Sequence, residues 1–355
     1  MKPIRLFSAP LVINCMSPRI TVFIPVYQAE RYLAESIESM LGQSFADFEV
    51  LIIDDGSCDR SYEIAAHYAT KDQRIRVLQN GENRGVSFTR NRGIQEAKGE
   101  FLALLDADDL SVPERLAKQL AFFDQNPDVV ACGTQAAIID ADGHDTGQRI
   151  EVPTNKEEIK VLLAFQNQFV NSSMMFRMTA LRKTEGYYNG LSEDYHLAAQ
   201  LNAYSNLSNL PDTLVHYRSH QGSLSKQQLS KMQEGERAVF SLIHRQLGIK
   251  PDAHWIDVHH RVLNTLYSVD EGSRPITVRD FEDLFIRLRD ANRKALIYPL
   301  ESFERLLFNL FYNKLRSSKS RTALWTLLTS DLYQQKWIRA VMLRKLFKQG
   351  LGITG

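Results

Sequence analysis

The segment Phe101-Leu-Ala-Leu-Leu-Asp-Ala-Asp-Asp109 decides how the rest of the chain is interpreted. Its five apolar residues have no periodic polar break, which is typical of a strand buried on both faces of a sheet. The carboxylates of Asp106, Asp108 and Asp109 follow at once, and crowded acids at the end of a buried strand repel one another and lose solvation. A divalent cation would remove both costs, and carboxylate oxygens suit Mg²⁺ or Mn²⁺. The alternative is an acidic turn that caps a helix beginning near Pro113.

The bulk composition restricts the class of protein. The chain has 355 residues, which is more than a typical single domain, so two units are expected. It is 44% hydrophobic and 24% charged, with a formal net charge of +1. This balance predicts a globular protein and argues against a general nucleic-acid binder.

Cysteine content and hydropathy indicate a cytoplasmic protein. The three cysteines are far apart in the sequence, so they predict neither a disulfide framework nor a zinc cluster. No apolar run approaches the ~20 residues that a membrane-spanning helix needs. Residues 1–17 are expected to form a disordered leader, and either Met1 or Met16 is the native start.

Apolar, β-branched segments alternate with helical ones through the first 110 residues. Strands are predicted at 20–26, 48–53 and 75–78, each followed by a helical pattern, before the Phe101 segment. This rhythm predicts a parallel sheet with crossover helices, in which ligands bind beyond the carboxyl ends of the strands. The acids at Asp54-Asp55 should therefore lie near those of the Phe101 segment. No glycine-rich phosphate loop is present, so a diphosphate would have to be held through a metal.

The next hundred residues predict further strands and one acidic helix start. The expected elements are strands at 128–133, 169–176 and 210–220 and a hairpin across 134–154. Glu193 and Asp194 begin a helix, a position that acids also favour for its dipole alone. His220 follows a strand predicted to return to the site, where it either contacts a diphosphate, completes a metal shell or is structural. Arg218 is a similar candidate for a phosphate contact.

Taken together, these motifs resemble family 2 glycosyltransferases with the GT-A fold. The resemblance spans about residues 19–225 and rests on Asp54-Asp55-Gly-Ser57, Asn83-Arg-Gly85, Arg90-Asn91, Gly99-Glu100, Asp106-Ala-Asp-Asp109 and Glu193-Asp194, in that order. It implies an α/β catalytic domain at 18–228 with a mostly parallel sheet and crossover helices. An all-helical C-terminal region follows at 229–355.

The resemblance also implies roles for individual residues of this chain. It assigns to the nucleotide-sugar site Pro25, Val26, Tyr27, Glu30, Asp55, Gly85, Arg90, Asp106 and Ala107. Within that set, Asp55 is implied to hydrogen-bond a uracil ring and Glu30 to lie near the ribose. Gln28 departs from the family, which usually has asparagine there, and this puts the local turn geometry in question.

Metal and catalytic roles follow from the same resemblance. Asp108 is implied to bind a divalent metal, Mn²⁺ or Mg²⁺, together with Asp106, and His220 is a further candidate ligand from its position. Asp194 is implied as the catalytic base, with Glu193 as a supporting acid. Such a base takes the proton of an acceptor hydroxyl while the metal stabilises the leaving diphosphate.

The predicted function is inverting transfer of a sugar from a nucleotide-diphosphate donor, above all a UDP-sugar. The acceptor is a hydroxyl of a polysaccharide, a lipopolysaccharide or a lipid-linked glycan. A nucleotidyltransferase is one alternative, although a glycine-rich basic signature would be expected near its first strand. A nucleotide-sugar-binding module without activity is the other, and the retained Asp108 and Asp194 argue against it.

From about Ser230 the sequence predicts helices alone, most simply a bundle packed on the catalytic unit. The last segment is strongly basic, and Asp331 is its single acid. Its basic residues are Lys314, Arg316, Lys319, Arg321, Lys336, Arg339, Arg344, Lys345 and Lys348, interleaved with apolar residues that include Trp325 and Trp337. Such a helix suits either peripheral contact with an anionic membrane at its inner face or packing on the bundle.

Overall fold

The computed structural model describes residues 17–220, 229–263, 275–317 and 329–333. The expected leader therefore lies outside the described residues except for Ser17, as does the basic segment beyond Ser317 except for residues 329–333. The strands are β1 (Ile20–Val26), β2 (Phe48–Asp54), β3 (Ile75–Gln79), β4 (Phe101–Leu104), β5 (Leu110–Ser111), β6 (Val129–Ile139), β7 (Asp145–Ile150), β8 (Met175–Arg177) and β9 (Asn206–Arg218).

Helices follow most of the strands and continue alone toward the C-terminus. They are α1 (Leu33–Leu41), α2 (Ser61–Lys71), α3 (Val86–Glu96), α4 (Arg115–Gln125), α5 (Lys156–Leu162), α6 (Met178–Leu181), α7 (Glu193–Asn202), α8 (Leu229–Gln246), α9 (Ala253–His260), α10 (Val278–Ala295) and α11 (Leu300–Ser317). Short 3₁₀ helices occur at Asn171–Ser173 and Asp331–Tyr333. None of the helices in the described ranges is long and apolar enough to cross a bilayer.

All the strands form one sheet, whose main order is β3-β2-β1-β4-β8-β6-β9-β5, with β7 on β6. β3, β2, β1 and β4 are parallel, as the strand–helix alternation predicts. β8 is antiparallel to both of its neighbours, and β6 and β9 are parallel to each other. The sheet is therefore mixed. A short turn makes β6 and β7 antiparallel, and β8 enters the sheet antiparallel to β4 and β6 rather than by a parallel crossover.

Two hydrophobic cores lie on the two faces of the sheet. Val22 and Ile24 of β1 pack with α1, α2 and α4 on one face. Phe23 points to the opposite face and packs in the core that α3, α7 and the C-terminal helices share. Burial on both faces explains the continuous apolar runs of the central strands.

Pro25 lies in β1, where its missing N–H costs no sheet hydrogen bond. β4 pairs with β1 only as far as Leu104, which lies opposite Phe23. Pro25 therefore has only β2 beside it, and its register partner there is Ile53. Pro25 thus lies one residue before the end of β1, a position that suits a proline in a strand.

The segment predicted as a strand at 169–176 folds differently. Asn171–Ser173 forms a 3₁₀ helix, and only Met175–Arg177 forms a strand. Val170, before the helix, and Met174, after it, are both extended. The polar Asn171-Ser-Ser173 sequence hydrogen-bonds locally, since the Ser173 hydroxyl donates to the Val170 carbonyl at 2.7 Å.

The C-terminal helices pack on the unit that contains the sheet, as predicted from their sequence. Phe240 and Ile243 of α8 are buried in the same core as Leu197 of α7. α10 begins with a capping box between Thr277 and Asp280. Lys314 in α11 donates from Nζ to the Arg261 carbonyl at 2.8 Å, so this basic residue packs on the protein.

Candidate active site

The acids predicted to meet at one edge of the sheet do so. Val26 and Asp54 are register partners at the ends of β1 and β2, and the Leu105 N–H donates to the Phe23 carbonyl at 3.1 Å. The loop that follows β4 is fixed from α1, because the Ser36 hydroxyl lies 2.8 Å from the carbonyl oxygens of both Ala107 and Asp109. Hydrogen bonds to α1 therefore hold the backbone of this loop.

Asp108 and His220 form a pair across the site. His220 Nε2 lies 2.8 Å from Asp108 Oδ2 although the two residues are 112 apart in the sequence. The His220 ring also packs against Tyr32, with ring centroids 5.1 Å apart. Burial and the neighbouring Asp106 raise the pKa of Asp108, and the bond to His220 lowers it. The structure thus brings together two of the three predicted metal ligands at hydrogen-bond distance.

Arg218 holds the acidic loop after β4 through its side chain and its backbone. Its guanidinium donates to the Asp108 carbonyl at 2.8 Å and to Glu35 Oε2 at 2.7 Å. Its backbone N–H donates to Asp109 Oδ1 at 2.8 Å. The residue is 1% exposed, so the hypothesis of a phosphate contact is wrong and Arg218 shapes the loop instead.

Arg90 joins the two acidic motifs. Its guanidinium lies 3.0 Å from Asp106 Oδ1 and also hydrogen-bonds Glu193, 103 residues further along the chain. Burial lowers the pKa of Arg90, but Glu193 and Asp106 together raise it above its ordinary value, so the residue is cationic. It was predicted as a nucleotide contact, and in this structure it serves as the bridge between carboxylates.

Glu193 and Asp194 begin α7, as predicted. Asp194 Oδ2 accepts a hydrogen bond from Asn167 Nδ2 at 2.9 Å. Burial raises the pKa of both carboxyl groups, while Arg90 lowers both. The turn before α7 is fixed by Asn91 of α3, which bonds both the N–H and the carbonyl of Tyr187 at 2.7 and 2.9 Å.

Asp55 organises the loop before α3. Its carboxylate accepts from Asn80 Nδ2 at 2.6 Å and from the N–H groups of Arg84 and Gly85 at 3.0 and 2.8 Å. Gly85 has φ +88°, a conformation that favours glycine. Asp55 and Gly85, both predicted at the nucleotide, are therefore direct partners of each other.

The segment from Pro25 to Glu30 hydrogen-bonds the connection between β2 and α2. Val26 is buried and Tyr27 is 46% exposed. Gln28 has φ +49°, a left-handed conformation that asparagine adopts more readily than glutamine. The Glu30 N–H donates to Asp59, and the Glu30 carboxylate accepts from the Arg60 N–H. This exchange fixes the segment to the start of α2.

Three polar residues of the site were missed from the sequence. Asn167 contacts Asp194, Asn171 Nδ2 lies 3.5 Å from Asp106 Oδ2, and the Ser172 hydroxyl accepts from the Asp106 N–H at 3.2 Å. All three lie in or beside the segment interpreted as a strand. The run of asparagine and serine in this segment interrupts the apolar–polar alternation expected of a strand. It is the feature of the sequence that could have indicated these residues.

The side chains present fit a divalent cation that is shared with a ligand. Within the described ranges no three His, Cys, Asp or Glu side chains are arranged to hold a metal by themselves. Mg²⁺ commonly binds through one or two carboxylates and substrate phosphates rather than in an all-protein cage. Asp108 and His220, already in contact, with Asp106 beside them, supply such a partial set.

Comparisons with known proteins agree with this geometry. A family model described as glycosyl transferase family 2 matches residues 21–184. The O-antigen biosynthesis glycosyltransferase WbnJ of Escherichia coli is 34% identical over 218 residues, which are 59% of this chain and 84% of WbnJ. An uncharacterized glycosyltransferase of Haemophilus influenzae is 35% identical over 50% of this chain and 69% of its own length.

A solved structure shares the fold over nearly the whole chain. S. aureus TarS 1–349 in complex with UDP-GlcNAc has a TM-score of 0.58 and 19% identity, over 94% of this chain and 92% of that chain. At this identity the likeness concerns the fold alone. The helical C-terminal region is included in that match, whereas the family model ends before Glu193.

Proposed function

The chain belongs to glycosyl transferase family 2 and is a glycosyltransferase, and from this premise we propose that it transfers a sugar from a UDP-sugar to an acceptor hydroxyl with inversion. Asp194 is the base, Glu193 supports it, and Asp108 holds a divalent metal at the diphosphate. The acceptor is a glycan of the cell envelope. WbnJ, whose name refers to O-antigen biosynthesis, motivates this class of acceptor.

One contact carries the proposal, namely the bridge that Arg90 makes between Asp106 and Glu193. It holds the acidic loop after β4 next to the start of α7, although these segments are far apart in the sequence. A donor bound at the loop would have its sugar facing α7. Two separate carboxylate groups around one reacting carbon are what a single displacement needs, because base and leaving group lie on opposite sides of it.

The surroundings of Asp194 suit a proton acceptor. Burial raises its pKa, which brings a carboxylate closer to the range in which it accepts a proton efficiently. Arg90 pairs with Glu193, so the second acid beside Asp194 is compensated. Asn167 orients the Asp194 carboxylate through its hydrogen bond to Oδ2. Asp194 then receives the proton of the acceptor hydroxyl as that oxygen attacks the anomeric carbon.

Asp108, with Asp106 and His220 next to it, would hold Mn²⁺ or Mg²⁺ against the diphosphate. When bound, this ion supplies Lewis-acid stabilisation of the departing charge. Asp55 and Gly85 shape the nucleotide side through their mutual hydrogen bond, and Tyr27 presents an exposed ring there. The expected contact of Asp55 with a uracil ring belongs to this proposal.

Peripheral contact with a membrane remains part of the proposal and rests on the composition of residues 318–348. That segment lies outside the described residues apart from 329–333, and Lys314 before it packs on the protein. A lipid-linked acceptor would explain a basic surface next to the enzyme. Vesicles with and without anionic lipid test this contact, and equal, weak binding to both would contradict it.

Donor hydrolysis tests the proposed activity without knowledge of the acceptor. A panel of UDP-, GDP- and dTDP-sugars is incubated with the protein and Mn²⁺, and release of the nucleoside diphosphate is measured. We expect Asp194→Asn to lose at least 100-fold in turnover while its UDP affinity stays within two-fold of wild type. Asp108→Ala should instead weaken Mn²⁺-dependent UDP binding.

The matched control is Asp212→Asn, which removes a carboxylate that pairs with Lys118 at the surface. It should hydrolyse the donor like wild type. If Asp194→Asn kept full turnover, the assignment of the base would be wrong. If the wild-type protein cleaved no sugar nucleotide in the panel, the proposed transfer from a nucleotide sugar would be contradicted.

A further inference from the structure

Helix α8 begins 45 residues beyond the segment that matches the family model, yet it contacts the turn that presents Glu193 and Asp194. The contact involves the backbone of Ser192 and the close approach of Gly235, and it continues where α8 runs along α7.

Ser192 is strained at the position that precedes the two acids. It is the N-cap of α7 with φ +59° and ψ +27°, and its side chain makes no capping hydrogen bond. A left-handed serine persists only where its surroundings hold it. Here the Ser192 hydroxyl donates to the carbonyl of Met232 in α8 at 3.3 Å.

Gly235 lies one turn further along α8 and is buried against the same turn. A Cβ at this position would overlap the Leu191 carbonyl oxygen and would lie 3.2 Å from Ser192 Cβ. The overlap is with backbone, so no side-chain rotation relieves it. Glycine is a poor helix former, and its presence within an 18-residue helix is explained by this close approach.

The contact continues along both helices. Phe240 of α8 packs edge-on against Tyr195, the residue after Asp194, with ring centroids 6.3 Å apart. Gln246 Nε2 donates to the Ala199 carbonyl at 3.2 Å. Since contacts advance in the same order along α7 and α8, the two helices lie side by side in the same general direction.

Helix α9 in turn holds α8 at its other side. Glu236, next to Gly235, lies 2.8 Å from His260 Nε2, and Arg237 lies 2.8 Å from Asp257. His260 is buried, so the first of these contacts reaches into the interior between the two helices. The position of α8 relative to the turn is thus set by the helical region itself.

We infer that the C-terminal helical region completes the active site, with Gly235 and Met232 as positioning residues for the Glu193–Asp194 pair. The inference rests on the proposed function of that pair. Close backbone packing at Gly235 and the hydrogen bond at Met232 hold Ser192 left-handed, and Ser192 sets the direction in which α7 begins. The carboxylates then point at the Arg90 bridge instead of turning with a relaxed helix start.

Gly235→Ala tests the inference, with hydrolysis of the best donor in the panel as the assay. The added methyl displaces Leu191 and Ser192, so we expect kcat to fall about 10- to 100-fold, which is the order of loss for a displacement near 1 Å. KM for the donor and the calorimetric Kd for UDP with Mn²⁺ should stay within two-fold of wild type, because the nucleotide side is untouched. Glu234→Ala, at an exposed neighbour on α8, is the matched control and should keep wild-type kcat.

The outcomes are distinguishable. A folded Gly235→Ala protein with wild-type kcat overturns the inference and leaves the proposed function intact. The same holds if KM for the donor rises by as large a factor as kcat falls. A wild-type protein that cleaves no donor removes both together. If circular dichroism shows that Gly235→Ala does not fold, Ser192→Ala decides, since it deletes only the bond to Met232. It should lower kcat several-fold at constant KM, and an unchanged kcat rejects the inference.

Discussion

The buried histidines between α8 and α9 make the helical region sensitive to acid. His244 Nε2 lies 3.1 Å from His259 Nδ1, and His259 Nε2 lies 2.9 Å from the Ala164 carbonyl of the catalytic unit. A carbonyl only accepts, so His259 must carry its proton on Nε2 and accept at Nδ1. His244 therefore donates from Nε2, and its buried Nδ1 has no hydrogen-bond partner among the described residues. This arrangement requires a neutral His259.

Burial lowers the pKa of His244 from 6.5 to about 4, against a weaker upward influence of Asp252. Burial also lowers the pKa of His259. A histidine with a depressed folded pKa leaves stability unaffected above pH 6.5, where both states are neutral. As the pH falls from 6.5 toward 4, the unfolded chain binds a proton that the folded chain does not, so stability decreases.

For His244 alone, the free energy of unfolding falls by about 2 kcal/mol between pH 7 and pH 5. His244→Gln keeps a neutral donor toward His259 but cannot titrate. Urea midpoints from circular dichroism, converted to free energies at each pH, should show wild type losing about 2 kcal/mol more than this variant over that interval. The exposed His67, replaced in the same way, controls for the loss of a histidine as such.

Parallel stability curves for wild type and His244→Gln between pH 7 and pH 5 would refute this reasoning. They would mean that His244 takes up its proton in the folded state, against the effect of its burial on its pKa. If the curves diverge as expected, donor hydrolysis in the same pH range should fall together with the loss of α8 packing, as the proposed positioning of Asp194 by α8 requires.

Three further outcomes are expected. Arg218→Met should lower the free energy of unfolding by about 3 kcal/mol, because it leaves two partly buried carbonyls and the Glu35 carboxylate without this donor. Arg31→Met, at an exposed arginine that packs on the same tyrosine ring, should change the urea midpoint little. Gln28→Asn should raise the free energy of unfolding by about 0.5 kcal/mol at its left-handed position, measured in the same way. Chelation of divalent ions should leave the melting temperature unchanged, whereas Mn²⁺ should raise it only in the presence of UDP.

The sequence predicts best those features that depend on local pattern. The Phe101 strand, the parallel half of the sheet and the acids at its edge follow from β-branched runs and strand–helix alternation, and all are confirmed. The start of α7 at Glu193 follows from the preference of acids for helix N-termini. These features are set by neighbours within about ten residues, which a single sequence contains.

The roles of the arginines could not be predicted in the same way. Arg90 and Arg218 are cationic residues in motifs near a diphosphate, and each was interpreted as a ligand contact. Their actual partners, Glu193 for one and Asp108 and Glu35 for the other, lie 103, 110 and 183 residues away. Tertiary packing decides which carboxylate or carbonyl an arginine contacts. The local sequence around the arginine does not determine that partner.

Buried arginines also affect how strongly the acids after β4 would attract a metal ion. Crowded acids favour a nearby cation, and three buried guanidinium groups lie close to them. Arg90 pairs with Asp106, and Arg218 holds the Asp108 loop. Arg115 donates to the Leu104 carbonyl at 2.7 Å with its pKa lowered by burial to about 10, so it is still cationic at neutral pH. These cations offset part of the repulsion, but burial and the neighbouring acids still raise the pKa of Asp108 and of Asp109. A divalent ion shared with a diphosphate would relieve the repulsion that is left.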